Sequence, residues 1–313
     1  MQAVGSARLF GHRLRIGFFL IAVLAAALQP LAQAHAASTL DRVRQAGKLT
    51  LGYRADAQPF SYRDDAGKPG GYSVAICAKV VERVKTDLGM AALSVEWVAV
   101  TPEDRFEAIQ QGRIDLLCEA GSATLARRKD VSFSIPIFPG GVGALLRADA
   151  PTGLRDVLEG RPSAGPIWRG NPAQILQAKT FSAVAGTTGA NWLAERIDTL
   201  KIDANAVPVK DYQSGIRRVI DRSSDAFFGE RAILLDAARR GPSARNLIVL
   251  ERQFTYEPIA LALPRNDEDF RLVVDAALSR LLRSPEFSEL YTRSFGKLDE
   301  STRAFIRSSA LPE

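Results

Sequence analysis

The sequence holds 313 residues, 46% hydrophobic and 24% charged, with 41 basic and 35 acidic side chains. That balance belongs to a globular chain long enough for two lobes with their own cores, and it excludes a disordered segment or a repeat array. The formal charge of +6 shrinks once the N-terminus is set aside, so no nucleic-acid partner is implied.

Arg8, Arg13 and Arg15 precede an apolar run over residues 16–28, Gln29-Pro30 breaks it, and Ala34-His35-Ala36 supplies an A-x-A cleavage site. This reads as a Sec-type signal peptide over 1–36, cleaved near Ala36. The run is shorter than the ~20 residues that span a bilayer, and no cysteine at the cleavage point suggests a lipid anchor. A soluble mature chain starting at Ala37, placed in a periplasm, is expected. The signal carries three of the 41 basic residues and no acids, leaving 38 basic against 35 acidic. It also carries both histidines, His12 and His35. A mature chain without histidine has no His-based metal site, no Ser-His-Asp triad and no Cys-His dyad. Cys77 and Cys118, the two cysteines, are disulfide candidates in an oxidising compartment, with two buried thiols as the alternative.

In chain order, the spacing predicts a helix over 40–46, a strand over 49–53, a turn-rich stretch over 55–71 and a helix over 74–88. A strand over 93–100 follows, then a helix over 103–111 between Thr101-Pro102 and Gly112, then a strand over 114–118. Such alternation indicates an α/β lobe with a largely parallel sheet, whose strand C-termini carry the ligand. Residues 115–134, DLLCEAGSATLARRKDVSFS, read as strand, small turn and a helix through LARRKDV capped by Thr124. Arg127, Arg128 and Lys129 would then lie in the first turns, where free N–H groups and a guanidinium suit a carboxylate or phosphate. A solvated basic turn is the alternative.

Residues 133–143 turn to Pro and Gly, and a strand over 142–147 leaves the first lobe. Residues 153–179 read as an irregular excursion around a short helix at 173–177. A strand over 181–185, the turn Gly186-Thr187-Thr188-Gly189 and a helix over 190–199 make a second anion-site candidate, without P-loop spacing; an ordinary capped helix is the alternative. Further on, strands near 206–208 and 226–228 flank a helix over 214–220, and Glu230 ends the second strand, serving either a ligand or the next helix dipole. IQQGRIDLLCEAG and VIDRSSDAFFGER share the order helix end, turn, Asp, apolar strand, which suggests two lobes built alike. A strand over 259–263 returns to the first lobe, and helices over 267–283 and 286–295 cover it. Two crossings make a hinge.

The stretches GYRADAQPFSY, GYSVAICAKVV, TPEDRFEAIQQGRIDLLCEAGSATLARRKDVSFS, AVAGTTG, FFGERAILL and SPEFSELYTRSFG carry a resemblance. From about residue 48 to 296 the chain is similar to the periplasmic amino-acid-binding proteins of ABC importers, family 3, and within them to the glutamate/aspartate-binding branch. The resemblance implies a two-lobed α/β periplasmic binding protein fold of type II, each lobe a mainly parallel sheet flanked by helices. Lobe 1 would comprise 37–141 and 259–313, and lobe 2 would comprise 142–258. It also implies a monomer that captures an acidic amino acid without cofactor or metal and delivers it to an inner-membrane ABC permease. Arg127 matches the arginine that clamps the α-carboxylate, aided by Ser122 and by Thr187 or Thr188. Glu230 matches the acid that receives the α-ammonium, beside the carbonyl of Ala120. Arg54 and Arg105 match the pair that binds the side-chain carboxylate in the acidic branch. Two cationic poles and one anionic pole suit a ligand with two carboxylates and one ammonium. The chain departs from that branch at Pro102, where a serine is usual, at Tyr212, where a histidine is usual, and at Ala120, which lacks a hydroxyl. Alternatives are an enzyme on the same scaffold, like cyclohexadienyl dehydratase, a binding protein for another polar amino acid, and a sensor domain. An enzyme would have to find its general acid or base among carboxylates, Tyr and Lys.

Overall fold

The computed structural model describes residues 38–161, 172–240 and 244–312, so the expected signal peptide and its cleavage site lie outside the described residues. Helix α1 (Thr39–Ala46) starts at Ser38, whose hydroxyl accepts from the Asp41 N–H, and Gly47 in the left-handed region turns the chain into strand β1 (Lys48–Arg54). The turn-rich stretch forms three short antiparallel strands, β2 (Asp56–Ala57), β3 (Ser61–Arg63) and β4 (Pro69–Gly70). Then come α2 (Tyr72–Leu88), β5 (Ser94–Val100), α3 (Arg105–Gln110), β6 (Leu116–Cys118), β7 (Ser132–Gly140) and β8 (Val142–Arg147). After α4 (Thr152–Glu159) and α5 (Pro172–Leu176), the alternation resumes as β9 (Thr180–Val184), α6 (Thr188–Leu200), β10 (Asn205–Val209), α7 (Tyr212–Ile220), β11 (Ala226–Glu230) and α8 (Arg231–Ala237). The chain ends with β12 (Leu247–Val249), β13 (Glu257–Leu263), α9 (Glu268–Arg283), α10 (Pro285–Phe295) and α11 (Glu300–Ser309).

Beside the small sheet β2-β3-β4, the strands make two five-stranded sheets, ordered β5-β1-β6-β13-β7 and β10-β9-β11-β8-β12. In each five-stranded sheet the first three strands pair in parallel and the last three antiparallel. The likeness between the lobes extends to single side chains. Asp115, just before β6, accepts the N–H of Thr50 at 2.8 Å, and Asp225, just before β11, accepts that of Thr180 at 2.9 Å. Each aspartate thus fixes the register between the central strand of its lobe and the strand beside it, which is why the two sequence segments look alike.

Three local expectations change. LARRKDV is not an α-helix: only Arg127–Lys129 forms a single 3₁₀ turn, because Val131 is already buried and Ser132 begins β7. Thr124 still accepts from the Arg127 N–H at 3.2 Å, but one turn has no substantial dipole to hold an anion. Residues 132–140, read as Pro/Gly texture, are a nine-residue strand; β7 is the sheet edge, where Pro136 and Pro139 cost no ladder bond on the open side. Part of the expected irregular excursion is α4, whose Leu154 and Leu158 are buried four residues apart and whose C-terminus is capped by Gly160. Residues 162–171 of that excursion lie outside the described residues.

The chain leaves the first sheet where β7 runs through Gly140-Gly141 into β8, and it returns between β12 and β13. The two crossings touch: a Cβ placed on Gly141 would overlap the carbonyl oxygen of Thr255. Gly141→Ala therefore lowers stability by roughly 1–3 kcal/mol through overpacking of the crossing, read as a fall of several degrees in Tm. An unchanged Tm would show that the crossing is not packed this tightly. On the first lobe, α10 is held by an aromatic cluster of Phe60, Tyr72, Phe138, Phe287, Tyr291 and Phe295, and the Tyr72 hydroxyl donates to the Ile137 carbonyl at 2.6 Å.

Candidate functional site

The parallel strands of both sheets end at one narrow cleft, lined by residues of both lobes. Its lining includes every ligand-binding residue that the resemblance implied, Arg54, Arg105, Ala120, Ser122, Arg127, Thr187, Thr188, Tyr212 and Glu230, whereas Arg128 and Lys129 of the expected anion site lie outside it and are exposed. It also includes Gly189 of the turn read as a second anion site, and Ala57, Glu119, Gly141, Val142, Ile233 and Glu257, which sequence reasoning missed.

Arg54 ends β1, and its Nε and one Nη close a fork on the Asp56 carboxylate, both at 2.8 Å. Its other Nη lies 3.7 Å from Glu119 Oε2. Arg105 opens α3, with Nε 2.8 Å from Glu119 Oε1 and one Nη donating across the cleft to the Gly186 carbonyl at 3.0 Å. The other Nη donates to the carbonyl of Pro102, so that proline still serves the site through its backbone. Arg127 donates to the Ser122 carbonyl at 2.8 Å, and among the described residues it makes no ion pair. The guanidiniums of Arg105 and Arg127 lie 4.6 and 5.1 Å from the centroid of the Phe106 ring, one aromatic ring serving both cations. Burial first, then the nearby charge of Arg105, brings the Arg127 guanidinium down to about 10, which leaves it charged at neutral pH.

From the second lobe come Thr187, Thr188, Tyr212 and Glu230. Thr187 caps α6, accepting from the Ala190 N–H at 3.3 Å and donating to the Val184 carbonyl at 2.7 Å, behind a Gly186 that is in the left-handed region. Tyr212 opens α7; its N–H donates to Asp56 across the cleft at 3.3 Å, and its oxygen accepts from the Glu230 N–H at 3.1 Å. Burial pushes that phenol well up, so it stays protonated and its own hydrogen remains to be donated. Glu230 ends β11 and accepts from the N–H groups of Gly141 at 2.9 Å and Ala232 at 3.2 Å. Burial nevertheless raises it to about 8, with the neighbouring charge of Glu257 adding to the effect. The raised value means that folding takes up a proton, so Glu230's contribution to stability falls as pH rises from near 4.5 towards 8.

Among the missed residues Glu119 matters most. It follows Cys118 at the end of β6, is 3% exposed, and is fixed by Ser73, whose hydroxyl donates to its carbonyl at 2.9 Å. An acid directly after an apolar strand was the signal available; reading 119–122 as a small turn hid it. Glu257 comes from β13, far along the chain, and no local pattern marks it. Among the described residues no group of three His, Cys, Asp or Glu is placed to hold a metal ion, and no helix is long and apolar enough to cross a membrane.

The sequence profile of the bacterial extracellular solute-binding proteins, family 3, matches residues 49–297. The L-glutamate/L-aspartate-binding protein of Pseudomonas aeruginosa is 28% identical over 276 residues, covering 88% of this chain and 85% of that protein. The glutamate/aspartate import solute-binding protein of Escherichia coli K12 is 26% identical over 280 residues, covering 88% and 87%. Among solved structures, an ancestral amino-acid-binding protein described as a precursor of cyclohexadienyl dehydratase superposes with a TM-score of 0.68 at 21% identity, covering 83% of this chain and 100% of that one. The last likeness bears on fold alone: the chain shares the two-lobed α/β fold of that protein.

Proposed function

Because the chain belongs to the bacterial extracellular solute-binding proteins of family 3, we propose that it is the periplasmic binding component of an amino-acid ABC importer. In this reading it captures glutamate or aspartate in the cleft and hands the ligand to an inner-membrane permease. The observation that carries it is the joining of two buried guanidiniums and the half-buried Arg127 from one lobe with Glu230 and Thr187 from the other in a single cleft. Arg127, without an acid of its own, takes the α-carboxylate with Ser122, Thr187 and Thr188. Glu230 takes the α-ammonium beside Ala120, Arg54 and Arg105 face the side chain, and Tyr212 offers its hydroxyl. Lobe 1 then comprises 37–141 and 259–313, lobe 2 comprises 142–258, and a ligand touching both favours their closed arrangement. The relatives' names support the acidic class. Glu119, which shares the side-chain end with both arginines, favours a second reading in which the side chain is a polar amide.

Calorimetric titration of the mature protein against the common L-amino acids tests this. Binding of glutamate or aspartate at 1:1 is expected, and a preference for a basic or aliphatic amino acid would overturn the ligand class. The assignment of Glu230 also fixes a pH dependence. An ion pair with the ligand's ammonium needs Glu230 ionised, so below pH 8 binding releases a proton. Affinity should rise between pH 6 and 8, by at most about tenfold per pH unit for one linked proton. A flat profile over that window would remove Glu230 from the ammonium's partner list.

A further inference from the structure

The side-chain end of the cleft holds two guanidiniums and two carboxylates. Asp56 takes the fork of Arg54, while Glu119 lies with Oε1 2.8 Å from Arg105 Nε and Oε2 3.7 Å from the remaining Nη of Arg54. The Glu119 side chain is only 4% exposed. Its contact with Arg105 does not align as a hydrogen bond, so Glu119 Oε1 is a buried acceptor with no donor and Arg105 Nε a buried donor with no acceptor. Buried polar atoms of this kind are uncommon and costly; here the two face each other at 2.8 Å as a charge pair without a hydrogen bond, in the lining of the cleft.

We propose that Glu119 is a specificity-determining residue that sets the preference between a carboxylate and an amide on the ligand side chain. The inference rests on the reading that the side chain reaches Arg54 and Arg105. A ligand carboxylate brought to these guanidiniums meets Glu119 at close range in a water-poor cleft, where like charges placed together are strongly unfavourable. An amide avoids that repulsion. Its oxygen accepts from the arginines, and its NH₂ donates to the Glu119 carboxylate, which lines the cleft between them. Glu119 thus favours glutamine or asparagine over the corresponding acid, against the pull of the two arginines. The device is pairwise: arginines alone select the acid, and arginines with a buried counter-carboxylate shift the choice towards the amide.

The test is calorimetry with L-glutamate, L-glutamine, L-aspartate and L-asparagine on the wild type, Glu119→Gln and Glu119→Asp. Removing the carboxylate in Glu119→Gln should raise the acid-to-amide affinity ratio tenfold or more. Glu119→Asp, which keeps the charge, should stay within about threefold of the wild-type ratio. Glu119→Ala makes the same comparison should the Gln variant not fold. An unchanged ratio in a variant with native-like melting would overturn the proposal and leave Glu119 as a counter-ion that merely holds the arginines. Wild-type protein that binds none of the four ligands but titrates with an aliphatic or basic amino acid would instead overturn the side-chain reading on which the proposal rests.

Discussion

Replacing Arg127 with alanine should weaken every amino-acid ligand, acidic or not, by about 30-fold to several thousandfold. This is the affinity equivalent of the roughly 2–5 kcal/mol lost when one member of a desolvated charge pair is removed. The effect should be general because the α-carboxylate is common to all amino acids. It should also be clean. Among the described residues Arg127 makes no ion pair and spends its donors on the Ser122 carbonyl, so its removal strands no buried carboxylate. Arg54 and Arg105 differ: their loss would leave the half-buried Asp56 or the buried Glu119 beside an empty place, so Arg54→Ala and Arg105→Ala should lower Tm as well as binding. Their effect on affinity should fall on ligands with long polar side chains. Calorimetry and melting on the three variants separate the roles. Equal losses at all three positions for alanine and glutamate would refute the assignment.

Opening the Cys77–Cys118 bond should cost about 4 kcal/mol, the chain-entropy value for a loop closed across 41 residues. For a domain of this size that corresponds to a fall on the order of 10 °C in Tm. Both residues are fully buried, one in α2 and one at the end of β6, so the bond ties the covering helix to the strand that delivers Glu119 and Ala120 to the cleft. The Cys77→Ala/Cys118→Ala double variant measures this without leaving reactive thiols. If it melts with the wild type, or if reducing agent leaves wild-type Tm unchanged, the bond contributes nothing in solution.

What the sequence disclosed, and what it hid, follows the range of the interactions involved. The alternation of strand and helix was legible because period and capping are local: Gly112 and Thr187 mark their turns within a few residues. The shared Asp before β6 and β11 was visible as a weak repeat, and its reason, a carboxylate accepting from the neighbouring strand, appears only when Thr50 and Thr180 arrive from 65 and 45 residues away. β7 was lost because Pro136 and Pro139 argue against a strand unless its edge position is known. The turn at 127–129 was overread because the burial of Val131, which ends it, is tertiary. At the cleft, Arg54, Arg105, Arg127 and Glu230 came from a resemblance between motifs. Glu119 and Glu257 did not, since their meaning lies in charges brought from elsewhere in the chain, Arg54 and Arg105 for Glu119, Arg127 and Glu230 for Glu257. The arginines were therefore counted as free cations, when Arg54 and Arg105 already face carboxylates of the chain itself.

The central claim is that one amino acid is held by both its α-groups, the carboxylate on Arg127 of one lobe and the ammonium on Glu230 of the other. It is tested most directly by titrating the wild-type protein with the tightest-binding amino acid alongside its 2-oxo acid, which lacks the ammonium, and its decarboxylated amine, which lacks the α-carboxylate. The account predicts that both analogues bind at least about 30-fold more weakly than the amino acid, each having lost one desolvated charge pair. A 2-oxo acid or an amine that binds as tightly as the parent amino acid would contradict it.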